Sequence, residues 1–145
     1  VAEVEQIPDP DEVARLVERP YGYEVGKGLT WGNLFQFPKG RRESLVWRRY
    51  APLQDDVHQI GRAVAALKPQ PRDYEGFLPA VVGDLRAIRS GRGHGFEVVH
   101  APEDGQGQHH AEIGYAIAQG TEFDKSDKTE LKALLQRAFS DLVSP

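Results

Sequence analysis

Apolar positions along this chain change spacing several times, and each change predicts an element. In "DPDEVARLVERP" the residues Val13, Leu16 and Val17 fall at helical spacing. Asp9 suits the N-cap, Pro10 the first helical position, and Pro20 the stop, so the pattern predicts a short helix over 9–19. Trp31, Phe35 and Phe37 then alternate, as do Leu45 and Trp47, with turn chemistry at Pro38-Lys39-Gly40 between them. That predicts two strands paired as a hairpin. Val57, Ile60, Val64 and Leu67 return to helical spacing, with Asp55 as a cap and Pro69 and Pro71 as the close.

Phe77, Val81, Leu85 and Ile88 fit a helix from near Pro79 to Gly91, although Phe77, Pro79 and Val81 also alternate. Two strands follow, over about 95–101 and 109–117. The clearest helix comes last. Leu131, Leu134, Leu135, Ala138 and Leu142 form its stripe, and Asp127 with Glu130 makes a capping-box-like pair. No repeat, low-complexity tract or linker interrupts the chain, so the pattern predicts a single domain over residues 1–145. Its class is α+β, an antiparallel sheet built from two hairpins with helices packed on it.

Composition narrows the chemistry. The 145 residues include no cysteine, which excludes a thiol nucleophile, thiolate metal ligands and a disulfide scaffold. No apolar run approaches the roughly 20 residues that cross a bilayer, and the acidic start lacks the basic and apolar regions of a secretory signal. Arg outnumbers Lys 12 to 6, and Ala, Gly, Val and Pro are plentiful. These features lead to the expectation of a cytoplasmic bacterial protein with no membrane partner. Residues 1–38 carry 3 basic and 7 acidic side chains, residues 39–92 carry 11 and 6, and residues 93–145 carry 4 and 9. A basic middle between acidic ends either attracts an acidic partner or pairs with its own ends.

Candidate chemistry concentrates in "FEVVHAPEDGQGQHHAEIGYAI". Packing both apolar sets of this hairpin on one core suggests Val98 opposite Ala111, hence His100 opposite His109. Glu103 or Asp104 on the connecting loop could join them, and two imidazoles with a carboxylate could bind a divalent metal or act as an acid–base pair. On the other face His110 and Glu112 form an H-x-E pair beside Glu97, a partial metal set that His94 or His58 would have to complete. Neither set has a diagnostic spacing, and histidines at strand ends commonly satisfy backbone groups.

A second constellation is "GRRESLVWRRY", where Arg41, Arg42, Arg48 and Arg49 interleave with Trp47 and Tyr50. Arginine contacts phosphate and aromatic rings stack on unpaired bases, so these are the ingredients of an RNA-binding strand. "SGRGHGF" leaves a predicted helix and enters a strand, the reverse of a phosphate loop, and no G-x-S-x-G elbow is present.

The leading expectation is an interaction or accessory protein without catalysis of its own, its partner another protein. A competing one is a metal- or His-dependent hydrolase of phosphodiesters, with His100 and His109 as ligands or acid–base groups, Glu103 as ligand or base, and Arg48 or Arg49 clamping phosphate. A third is RNA binding through residues 41–50. No cofactor is required by the sequence, though a divalent metal would suit the histidine readings.

Overall fold

The computed structural model describes residues 3–102 and 107–145. The class is α+β: a five-stranded antiparallel sheet and a two-stranded one, with helices packed against them. The elements in chain order are β1 (Glu12–Arg19), β2 (Tyr23–Glu24), β3 (Gly28–Leu29), α1 (Trp31–Leu34), β4 (Glu43–Trp47) and α2 (Gln54–Ala66). Then come β5 (Asp73–Val81), α3 (Val82–Arg86), β6 (Gly95–His100), β7 (His110–Ala116) and α4 (Lys125–Ala138). The large sheet runs β5-β1-β4-β7-β6.

One face of this sheet holds Val13, Val17, Leu45, Trp47, Phe96, Val98 and Ile113 against Leu85 of α3 and Leu131 and Leu135 of α4. The opposite face holds Ala14, Val46 and Phe77 against Val57 of α2. Helix α2 covers the β5–β1 half of that second face, because its contacts run to β5 and β1.

Residues 12–19 form a strand where the sequence predicts a helix. The segment is central, paired with β5 from Glu12 to Arg19 and with β4 at Val13 and Ala14, and its side chains enter both cores, Val13 and Val17 on one face and Ala14 on the other. A strand buried on two faces loses simple alternation, and Val13, Leu16 and Val17 then mimic helical spacing. The predicted 79–91 helix is shorter than expected: β5 runs to Val81, and helix covers only Val82–Arg86.

The predicted 31–47 hairpin does not form. Trp31–Leu34 makes one helical turn, and β4 pairs instead with β1 and β7. The backbone of 34–37 is satisfied by side chains rather than by a ladder. Arg15 donates to the Leu34 carbonyl from Nε (3.0 Å) and Nη2 (2.6 Å), and Glu43 Oε2 accepts from Gln36 N (2.7 Å) and Phe37 N (3.0 Å). Phe35 and Phe37 alternate because both drop into the core, with ring centroids 6.1 Å apart.

Helix α2 and the β6–β7 hairpin fall where the pattern placed them. The N-cap position of α2 is Leu53 rather than Asp55, and the Asp56 carboxylate in the first turn accepts from Leu53 N at 3.0 Å. The cap of α4 is Asp124, which accepts from Ser126 N and Asp127 N, while Asp127 reaches back to Asp124 N. No helix among the described residues is long and apolar enough to cross a membrane.

Candidate functional site

The hairpin register differs by two residues from the predicted one. Val98 pairs with Ile113 and His100 with Ala111, which leaves His109 outside the ladder. A shift of two preserves which face each side chain occupies, so the apolar face is as expected while the His100–His109 pairing is not. His100 is buried, and both its ring nitrogens serve the backbone. Nδ1 accepts from Glu5 N at 2.9 Å, and Nε2 donates to the Gln108 carbonyl at 2.8 Å. Its ring also meets Trp47 edge-on at 5.0 Å. Glu103 and Asp104, the loop carboxylates of that reading, lie outside the described residues.

The H-x-E pair also separates. His110 Nδ1 donates to the Ala101 carbonyl (2.7 Å) and Nε2 accepts from the Ser44 hydroxyl (3.2 Å). Glu112 faces Arg42 at 3.8 Å, and Arg42 is held more closely by Glu97 at 2.7 Å. His94 accepts from Ala118 N and donates to the Glu122 carbonyl, and His58 bonds the Tyr74 hydroxyl at 2.7 Å. Neither histidine reaches His110. A metal ligand needs an imidazole lone pair, and in His94, His100 and His110 that lone pair is already occupied. Among the described residues no group of three or more His, Asp or Glu is placed to hold a metal ion.

The arginine stretch is split by β4. Arg41 and Arg42 precede the strand and Arg48 and Arg49 follow it, so the pairs lie roughly 20 Å apart. Arg48 donates to the Ala51 and Pro52 carbonyls and to Glu12, and Arg49 faces Glu5 and lies over the rings of Trp47 and Tyr50. Trp47 is fully buried, with Nε1 on Asp11 at 2.8 Å, so its face is closed to a base. Arg41 is exposed.

The structure instead opens a groove of about 720 Å³ beside α2. Its origin is a split in the sheet. β1 and β4 pair only at Val13–Trp47 and Ala14–Val46, and beyond that point they part. The Arg15 side chain laces the gap, donating from Nη1 to the Ser44 carbonyl (2.9 Å) as well as to Leu34, with Glu43 at 3.7 Å. Burial lowers the Arg15 pKa, with Glu43 and then Glu18 acting against that shift.

Leu16 and Val46 line the groove from the sheet, and Ile60, Val64 and Leu67 line it from α2. The spacing places Ile60, Val64 and Leu67 on one helix face together with Val57. The helix actually seats Val57, Gly61 and Ala65 on the sheet, which turns Ile60, Ala63, Val64 and Leu67 toward the groove. Leu67 is 83% exposed. Arg42, Lys68 and Arg72 add positive charge around this apolar stripe, and Glu18 and Glu43 add carboxylates.

His109 lines the groove beside His110, and its ring has no hydrogen-bond partner among the described residues. Burial and then the nearby His110 lower its pKa. Neither the split nor the groove was predicted, since both depend on β1 being a strand. The signal present in the sequence was the width of the apolar face of α2, which Ala63 extends beyond Ile60, Val64 and Leu67. Neither a family model, nor a curated protein, nor a solved structure matches this chain.

Proposed function

We propose that this protein acts by binding rather than by chemistry, as an accessory protein that docks another protein in the groove beside α2. The observation that carries this reading is the groove itself: along a helix whose Val57, Gly61 and Ala65 are buried, it is lined by the half-buried Val64 and the exposed Ala63 and Leu67. The use of His94, His100 and His110 as backbone connectors supports it, because those rings have no nitrogen left for acid–base work. Contiguous exposed apolar surface flanked by charge is the usual mark of an interaction site.

One observation favours a second reading. His109 stands in the groove near Ser44 and Arg42, so a His-dependent hydrolase would have to use His109 as its base and Arg42 as its anion clamp. A tagged copy purified from the native host at low salt separates the two. The binding reading predicts a stoichiometric protein partner, retained together with biological function by a folded His109→Ala variant. A folded His109→Ala variant that keeps the partner and loses function would favour chemistry.

A further inference from the structure

We infer that the occupant of the groove is a protein segment presenting aliphatic side chains next to an acidic residue, with the carboxylate seated at Lys68. This assignment rests on the binding reading and specifies its partner. The apolar lining of the groove is aliphatic: Val46 and the half-buried Leu16 and Ile60 belong to the second core, and the half-buried Val64 and the exposed Leu67 complete the lining at α2 and its C-cap. Such a surface rewards leucine-like or isoleucine-like anchors at about 25 cal/mol per Å² buried.

The charges around it are not evenly free. Arg42 lies across Gly114, whose missing side chain leaves room for the arginine stem, and it is held by Glu97 and Glu112. Arg15 is held by Glu43 and two carbonyls, and Arg72 faces Glu18 at 3.0 Å. Lys68, just past the end of α2, lines the groove and makes no ion pair among the described residues. The groove lining thus counts Arg15, Arg42, Lys68 and Arg72 against Glu18 and Glu43, and its unspent positive charge is at the Lys68 end.

A carboxylate there gains an ion pair at little desolvation cost, because Lys68 is only partly buried. A basic segment in the same place would meet Lys68 and Arg72 together. The anchors supply affinity and the carboxylate sets direction along the groove.

The experiment uses the full chain and three short fluorescein-labelled peptides followed by anisotropy. The first has two leucines flanked by glutamates, the second the same leucines flanked by lysines, and the third glutamates with serines in place of the leucines. The glutamate–leucine peptide is expected to bind about tenfold tighter than either other. Lys68→Glu should weaken it by about tenfold, Leu67→Ser should weaken it without inverting the charge preference, and added salt should weaken it too. Equal binding of the lysine–leucine peptide, indifference to Lys68→Glu, or no saturable binding would overturn the assignment. If that happens while the native partner is still lost on mutation of Leu67, the groove remains the docking site and only the acidic character of the partner falls. If the native partner is indifferent to Leu67, the groove reading falls as well.

Discussion

Histidine in this protein connects backbone segments. His100 ties residue 5 to residue 108, His94 ties 118 to 122, and His110 ties 101 to the Ser44 hydroxyl. The sequence showed the hairpin, the face of each side chain and the abundance of imidazoles. It did not show the register, because a slip of two residues leaves every face unchanged. His58 sits against the Tyr74 hydroxyl at 2.7 Å. Burial is the first cause of its lowered pKa and the neighbouring Arg62 the second. The unfolded chain therefore takes up a proton near the ordinary value of 6.5, while the folded chain resists it. Stability contributed by neutral His58 is complete above that value and is lost as pH falls toward the folded one, and His109 acts in the same direction. Urea midpoints should fall between about pH 7.5 and about pH 5.5, and His58→Gln should shrink that fall. A midpoint that rises on acidification, or a fall that His58→Gln leaves unchanged, would contradict this account.

At the level of elements, legibility followed burial. Helices α2 and α4 each present one face to the sheet and were readable from spacing, as was the β6–β7 hairpin. β1 and β5 carry side chains into both layers, Val13 and Leu78 into one and Ala14 and Phe77 into the other, so alternation disappeared. The 31–37 segment misled for the opposite reason. It alternates like a strand, but its polar backbone is met by Arg15, distant in sequence, and by Glu43, the first residue of β4. The seating of α2 depends on Gly61. A Cβ there would fall within the ring of Tyr74, whose hydroxyl is held by His58. Alanine is the better helix former by up to about 1 kcal/mol, yet overpacking costs about 1–3 kcal/mol. Gly61→Ala should therefore lower stability in a urea titration, and a more stable variant would mean that α2 does not rest on Tyr74 as described.

Across the whole molecule, the segregated charge of the sequence is largely spent internally. Arg48 pairs with Glu12, Arg49 with Glu5, Arg72 with Glu18 and Arg86 with Asp9, which stitches the basic middle to the acidic N-terminal segment. Arg92 does the same at the start of α4, where Asp124 and Asp127 meet it at 3.1 and 2.9 Å. Hydrogen bonds from Ser126 and then from Arg92 hold the Asp124 carboxyl well below its usual range. Self-pairing accounts for most of the charge pattern and leaves the Lys68 end of the groove as the place where charge and apolar surface meet unpartnered among the described residues. The groove exists because the sheet splits between β1 and β4 and α2 covers only one half of the second face. The most direct measurement of its role is partner retention by a Leu67→Asp variant of the tagged native protein. Ile117→Asp serves as the control, since both side chains are exposed and either change should alter stability by less than about 0.5 kcal/mol. The docking account predicts that Leu67→Asp, with an unchanged urea midpoint, loses the partner at least about tenfold while Ile117→Asp keeps it. Equal retention by both variants would contradict it.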